Sequence, residues 1–395
     1  MENTKVMVEL YSEEPLENVM AMLKYKPEKI IFLGHKYNMI TRKINNIKNF
    51  RDRKCPEVEL EFIEVPKDDL NATIEIITAI IRENPGVRFE LTGGSELILI
   101  AIGVISARME ISKLRIDPFT GKEIEIKGSE VVTSDYQYDM NIADDIVLHG
   151  GMLTDKTGSI SEWKFTREFR GDIIAMWDIC RKYKGDWNKH CSKIEELMKH
   201  YPSKDEGWFD FGIRELGTAI LLLRDLVDDG LVKNYREEQK RVRFRFKSNM
   251  VKKVIAKAGN ILELHVYEVA TREAYLYSDA VIGAHIDWNG EIHDANNPGY
   301  DTMNEIDVIL MKNVCPIFIS CKSGKAGGLA LHELETVSRK FAGKYARKAL
   351  VLSRACDDTT GTMFFKQRAK DMHIWIIDDV FRMSDEQLLN RLKRI

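Results

Sequence analysis

The chain has 395 residues, 44% hydrophobic and 31% charged, enough for two or three domains with cores of their own. Its 59 Lys and Arg against 62 Asp and Glu give a formal net charge of −3, which excludes a uniformly basic nucleic-acid coat but not a local basic patch. The longest apolar run, near Leu97–Val104, falls far short of the roughly 18 residues of a membrane span. Six scattered cysteines form no zinc-ligand spacing, and the N-terminus runs straight into a strand with no leader pattern, so the expectation is a cytoplasmic protein with reduced thiols and no membrane partner.

Residues 1–152 alternate strand and helix signals, which predicts βαβ units and a parallel sheet. Strands are expected at Val6–Tyr11, Lys29–Gly34, Val58–Val65 and Val87–Leu91, with a helix after Ser12, helices over Tyr37–Phe50 and Asp69–Glu83, and a hairpin over Lys113–Ile126. The fourth strand runs into Thr92-Gly93-Gly94-Ser95-Glu96, where a helix begins. Two glycines admit close backbone approach, and free amides at a helix start suit an anion. His35, Lys36, Tyr37 and Asn38 end the second strand and bring donors and an aromatic face to the same end of the sheet. Neither GxGxxG nor GxxxxGK[ST] occurs, which argues against a dinucleotide fingerprint or a P-loop.

Residues 153–250 read as helical, with Trp163, Trp177, Trp187 and Trp208 as core anchors and an apolar helix over Gly217–Asp229. A strand at Leu231–Tyr235, a turn at Glu237–Gln239 and a strand at Lys240–Lys247 complete a winged-helix-like connector. Alternation sets Val242, Phe244 and Phe246 on one face and Arg241, Arg243 and Arg245 on the other. Lys233–Lys257 carries ten basic and two acidic side chains, a surface suited to a phosphate backbone.

Residues 251–395 return to mixed α/β, with a helix over Val251–Thr271 and strands at Asp279–Trp288, Glu305–Lys312, Pro316–Lys322, Lys348–Ser353 and His373–Ile377. Asp307 lies among apolar neighbours on one strand, and Lys322 ends the next. A helix carrying Glu263, a strand carrying Asp307, a hairpin and a strand ending in Lys322 make an order suited to metal-dependent phosphodiester hydrolysis. His285, His293 and Asp294 have a spacing that matches no ligand pattern.

That order resembles the PD-(D/E)xK nuclease fold. Together with Pro15–Val19, the Leu91–Glu96 turn, Asn304–Val308 and Phe318–Lys322, it resembles the CARF–nuclease effectors of type III CRISPR immunity over nearly the whole chain. The resemblance implies an α/β chain with an N-terminal Rossmann-like CARF domain, a helical winged-helix-like connector and a C-terminal restriction-endonuclease-like α/β domain. It implies a homodimer, cyclic tetra-adenylate as activator, and cleavage with Mn²⁺ or Mg²⁺ of single-stranded DNA or RNA, with nicking of duplex DNA as a secondary activity. Ser12, His35, Lys36, Tyr37, Asn38, Thr92, Gly93, Gly94, Ser95 and Glu96 would line the activator pocket. Glu263, Asp307 and Lys322 would form the nuclease site.

Two departures stand out. The motif expects an acid two residues before the lysine, and this chain has Ser320, so the further metal ligand falls to Glu263, Glu305 or the backbone carbonyl of Cys321. Glu96 stands where many CARF turns carry lysine. The rival reading is a ligand-sensing winged-helix transcription regulator with an inactive nuclease fold.

Overall fold

The computed structural model describes residues 5–154, 163–203, 207–291, 293, 297–300, 302–324, 326–356 and 360–395. The first sheet holds β1 (Val6–Leu10), β2 (Lys29–Gly34), β3 (Glu59–Glu64), β4 (Arg88–Glu90), β5 (Ser112–Asp117), β6 (Lys122–Lys127) and β7 (Glu130–Asp135) in the order β3-β2-β1-β4-β5-β6-β7. Its first five strands are parallel, and β6 and β7 are antiparallel additions. Helices cover both faces of the parallel part, which is why β1 and β2 read as nearly continuous apolar runs. Val8, Leu10, Ile31 and Phe89 pack with helices Leu70–Glu83 and Glu96–Ser106. Met7, Ile30, Phe32 and Ile116 face the other way, toward Met20–Tyr25 and Thr41–Lys54. Strand order reverses between β1 and β4, which sets a crevice above the ends of those two strands.

The helix expected over Tyr37–Phe50 is Thr41–Lys54. Residues 35–39 turn first, with the amides of Asn38 and Met39 both donating to the His35 carbonyl. After β7, helix Ile142–Leu148 and β8 (Met152–Leu153) leave the first sheet. Ile142 and Ile146 pack with Ile286, Phe318 and Phe341, and β8 pairs with β12 (Asp279–Asp287). The residues just before position 152 thus lie on the C-terminal sheet.

The connector has helices Arg167–Tyr183, Gly185–His200 and Ala219–Asp228 beside a three-stranded antiparallel sheet. That sheet has β11 (Arg241–Phe246) between β10 (Val232–Glu238) and β9 (Trp208–Gly212). Its hairpin turns on Gln239 and Lys240, both at positive φ, the mirror-image turn whose twist matches the strands. Trp177 and Trp187 are buried as expected.

The C-terminal sheet runs β16 (Ile374–Ile377), β15 (Arg347–Leu352), β14 (Cys315–Lys322), β13 (Met303–Lys312), β12, β8. Here β12, β13 and β14 are antiparallel, while β15 and β16 continue parallel to β14. The single helix expected over Val251–Thr271 is two, Asn249–Ala256 and Asn260–Ala270. Trp187 Nε1 donates to the Ala258 carbonyl at 3.1 Å, at the break between them.

Candidate functional sites

At the carboxyl ends of β1, β2 and β4, the glycine turn presses on β1. A Cβ on Gly93 would lie 2.6 Å from the Leu10 carbonyl oxygen and 2.7 Å from Ser12 Cβ. Gly94 has φ +92°, and its Cβ would lie 2.5 Å from that of Leu10. Both glycines are therefore required by packing, and Gly94 by its positive φ as well. Ser95 caps helix Glu96–Ser106, accepting from the Ile98 amide, and lies 2.8 Å from His35 Nε2. His35 is buried, with Nδ1 3.1 Å from the Val65 carbonyl. A carbonyl only accepts, so Nδ1 carries the proton, and in the neutral ring Nε2 accepts from the Ser95 hydroxyl.

The ten residues of this predicted pocket divide by what their side chains do. His35 and Ser95 tie the β2 and β4 ends together. Thr92 Oγ1 accepts from the Ile116 amide at 2.8 Å and also bonds Glu90, which commits it to the sheet floor. Ser12 donates to Glu17 Oε2 at 2.5 Å. Lys36, Tyr37 and Glu96 are exposed, and Asn38 is half-buried with Oδ1 unpartnered. Tyr37 stacks on His35 at 5.6 Å, and Lys67 Nζ lies 5.3 Å from the Tyr37 ring centre. An exposed ring with a cation above it suits a nucleobase bearing phosphate. Sequence reasoning missed Lys67, which follows β3.

Glu9 and Glu90, also missed, sit side by side in register under this crevice, both fully buried. Burial pushes the Glu90 carboxyl up to about 8, and burial together with the Glu90 charge raises Glu9 well above the usual range. An acid inside the apolar run of β1 was the available signal.

In the C-terminal sheet, Asp307 Oδ2 is the hub. It accepts from the Cys321 amide at 2.5 Å and from Ser320 Oγ at 3.2 Å, and lies 3.9 Å from Lys322 Nζ. Glu263, on the helix Asn260–Ala270 packed against this sheet, lies near enough to feel the charges of Asp307 and Lys322. Its carboxyl is pushed up to about 8 by burial first and then by the charges of Asp307 and Glu305, against the opposing pull of Lys322 and Lys257. Burial also raises Asp307, offset by the Cys321 amide, Lys322 and Ser320. Two carboxylates thus share a half-buried site whose negative charge Lys322 and Lys257 offset only in part.

Ser320 supports Asp307, and the Cys321 thiol is buried in the core with the helix that carries Glu263, its pKa raised by burial first and then by the Asp307 and Glu263 charges. Glu305 is exposed, 3.8 Å from His285 Nε2. Among the described residues, no group of three or more His, Cys, Asp or Glu side chains is arranged to hold a metal. Two carboxylates beside a strand backbone do suit a hard divalent cation that keeps most of its waters. His293 lies 3.3 Å from the Asn289 side chain, and Asp294 is outside the described residues.

On β11, Val242 and Phe244 are buried, while Arg241 and Arg243 are exposed and Arg245 is half-buried. Arg241 pairs with Asp210 at 2.7 Å. The Arg243 and Arg245 guanidinium carbons lie 4.6 and 5.5 Å from the Trp208 ring centre. Trp208, expected in the core, is instead the half-exposed floor of the arginine face. A recess of about 450 Å³ there is lined by Tyr201, Trp208, Arg241 and Arg243.

No protein-family model matches the chain, and no curated protein matches it. Solved structures do. Protein VC1899 from Vibrio cholerae superposes with a TM-score of 0.73 at 16% identity, covering 99% of this chain and 97% of that one. Can2 from Sulfobacillus thermosulfidooxidans, in complex with cyclic tetra-adenylate, gives 0.68 at 15% identity, with the same coverage of both chains. A type III CRISPR defence DNA nuclease activated by cyclic oligoadenylate gives 0.49 at 14% identity, with 47% of its own length covered. The Rossmann-like domain, winged-helix connector and C-terminal α/β domain are therefore one arrangement, and the chain has end to end the fold of VC1899 and Can2.

Proposed function

We propose that the chain is a cyclic-oligoadenylate-activated, metal-dependent endonuclease of CRISPR antiviral defence, acting as a homodimer on single-stranded DNA or RNA. The observation that carries this reading is the approach of Asp307, midway along β13, to Lys322 at the end of β14, with Glu263 near enough to feel both charges. The likeness to Can2, whose structure holds cyclic tetra-adenylate, supports that compound as the activator.

Asp307 and Glu263 would hold Mn²⁺ or Mg²⁺, with the Cys321 carbonyl as a further oxygen donor. When bound, the ion lowers the pKa of a coordinated water and polarises the scissile phosphate. The chain's own residues do the rest. Ser320 and the Cys321 amide fix the Asp307 carboxylate, and Lys322 stands ready to stabilise charge developing on the phosphate. Arg243, Arg245 and Trp208 hold the strand by phosphate contact and base stacking, and Arg241 lies at the edge of that face.

Activator binding at the Gly93–Gly94 turn and Tyr37 would be felt first by Ser12, against which Gly93 packs. Substituting Asp307→Ala or Lys322→Ala should abolish cleavage and leave activator affinity intact. Loss of both together would count against separate sites.

A further inference from the structure

One cleft belongs to neither site described above. It lies between the first domain and the C-terminal sheet and encloses about 690 Å³. Arg42 and Lys43 line it from one side, and Arg339, Lys340, Lys344 and Lys348 from the other. Against these six cations stand Glu13, Glu14 and Glu335. Lys348 is bonded to Glu335, and Lys344 pairs with Glu17 at 2.7 Å. Arg42 and Arg339 are exposed. The Lys340 ammonium is pushed down, by burial first and then by the Arg42 charge, so the cleft crowds cations together.

A second observation points to a ligand. His149 lines the cleft and is 7% exposed, with Nδ1 2.9 Å from the Asp145 carbonyl oxygen and 3.4 Å from Asp145 Oδ1. Its Nε2 is buried with no partner. The buried Asp145 carboxyl beside it favours the doubly protonated ring, leaving Nε2–H as an unused donor. A buried donor and crowded cations in one cleft are what a multiply charged anion relieves. The volume exceeds what a single phosphate fills and lies in the range of small-molecule sites.

We infer that this interdomain cleft binds a polyphosphate chain, either that of a nucleoside triphosphate or an inorganic one, bridging Arg42 of the first domain and Arg339 of the C-terminal domain. The test is calorimetric titration of the full chain with ATP and with tripolyphosphate, without divalent metal, in the presence and absence of cyclic tetra-adenylate. One equivalent per chain is expected for the binding probe, weakened at least tenfold in Arg42→Gln/Arg339→Gln, weakened also in His149→Ala, and unchanged in Asp307→Ala. The two arginines are exposed, so the double variant should melt with the parent. Tighter ATP identifies the nucleotide as the source, and equal or tighter tripolyphosphate identifies the inorganic chain. Absence of binding by either probe at millimolar concentration, competition by cyclic tetra-adenylate, or full affinity in the double variant would overturn the assignment.

Discussion

Glu17 joins Ser12 to Tyr345. Its Oε2 accepts from Ser12 Oγ at 2.5 Å and its Oε1 from the Tyr345 hydroxyl at 2.5 Å, with Lys344 Nζ 2.7 Å from Oε1. Ser12 lies under the glycine turn, and Tyr345 leads into β15, which pairs with β14 up to Lys322. This is a short bonded path from the proposed activator pocket to the strand that carries the proposed nuclease lysine. Glu17→Gln and Tyr345→Phe should leave activator affinity within about twofold, since neither touches the crevice directly. Activator-stimulated cleavage should fall at least tenfold, a split that a general folding defect would not produce. Each variant also removes a buried hydrogen bond, costing on the order of 1 kcal/mol or somewhat more in denaturant titration.

The paired carboxylates give a pH signature. Glu263 and Glu90 both titrate near 8 in the folded chain, well above the unfolded value near 4.3. Between those values the folded state binds more protons than the unfolded state. Their contribution is therefore fully present below about pH 4 and is lost as pH rises through about 8. Glu263→Gln should raise the melting temperature of the metal-free protein at pH 8 and change it little at pH 5. Added Mn²⁺ should stabilise the parent at pH 8 and act weakly on the variant. Equal melting of variant and parent at pH 8 would count against the buried pair.

The arginine face makes a separable prediction. Trp208→Ala should weaken single-stranded binding by about 1–3 kcal/mol, the usual worth of one stacked base. Arg243→Glu should weaken binding and flatten its salt dependence by about one phosphate contact. Fluorescence anisotropy across a salt series reads both. If charge reversal destabilises the fold without a binding defect, the strand is a structural face.

The glycines differ in a way that can be measured. Gly94→Ala places a Cβ against Leu10 at positive φ and should cost about 1–3 kcal/mol. Gly103→Ala, on an exposed helix face with nothing within 4 Å, should stabilise by about 0.5–1 kcal/mol. Urea denaturation of the two variants tests whether the turn is held by β1 as described.

Much of this was legible from local pattern. β1 and β2 announce themselves because both faces are buried, and Asp307 and Lys322 stand out as charges interrupting apolar strands. What stayed hidden depends on contacts distant in sequence. The helix break at Ala258 is met by Trp187, and nothing near residue 258 alone signals it. Trp208 reads as core because an indole under two guanidinium groups has the same sequence signature as a buried one. The start of helix Thr41–Lys54 is delayed by a turn that closes on the His35 carbonyl. The interdomain cleft draws on residues from 13 to 373, so no local motif marks it.

The central claim is gating, and one assay addresses it. Labelled single-stranded DNA and RNA are incubated with the full chain and Mn²⁺, with and without cyclic tetra-adenylate. The account predicts cleavage only with the activator and none in Asp307→Ala. No cleavage with any activator, alongside retained duplex binding, would contradict it and leave the transcription-regulator reading in its place.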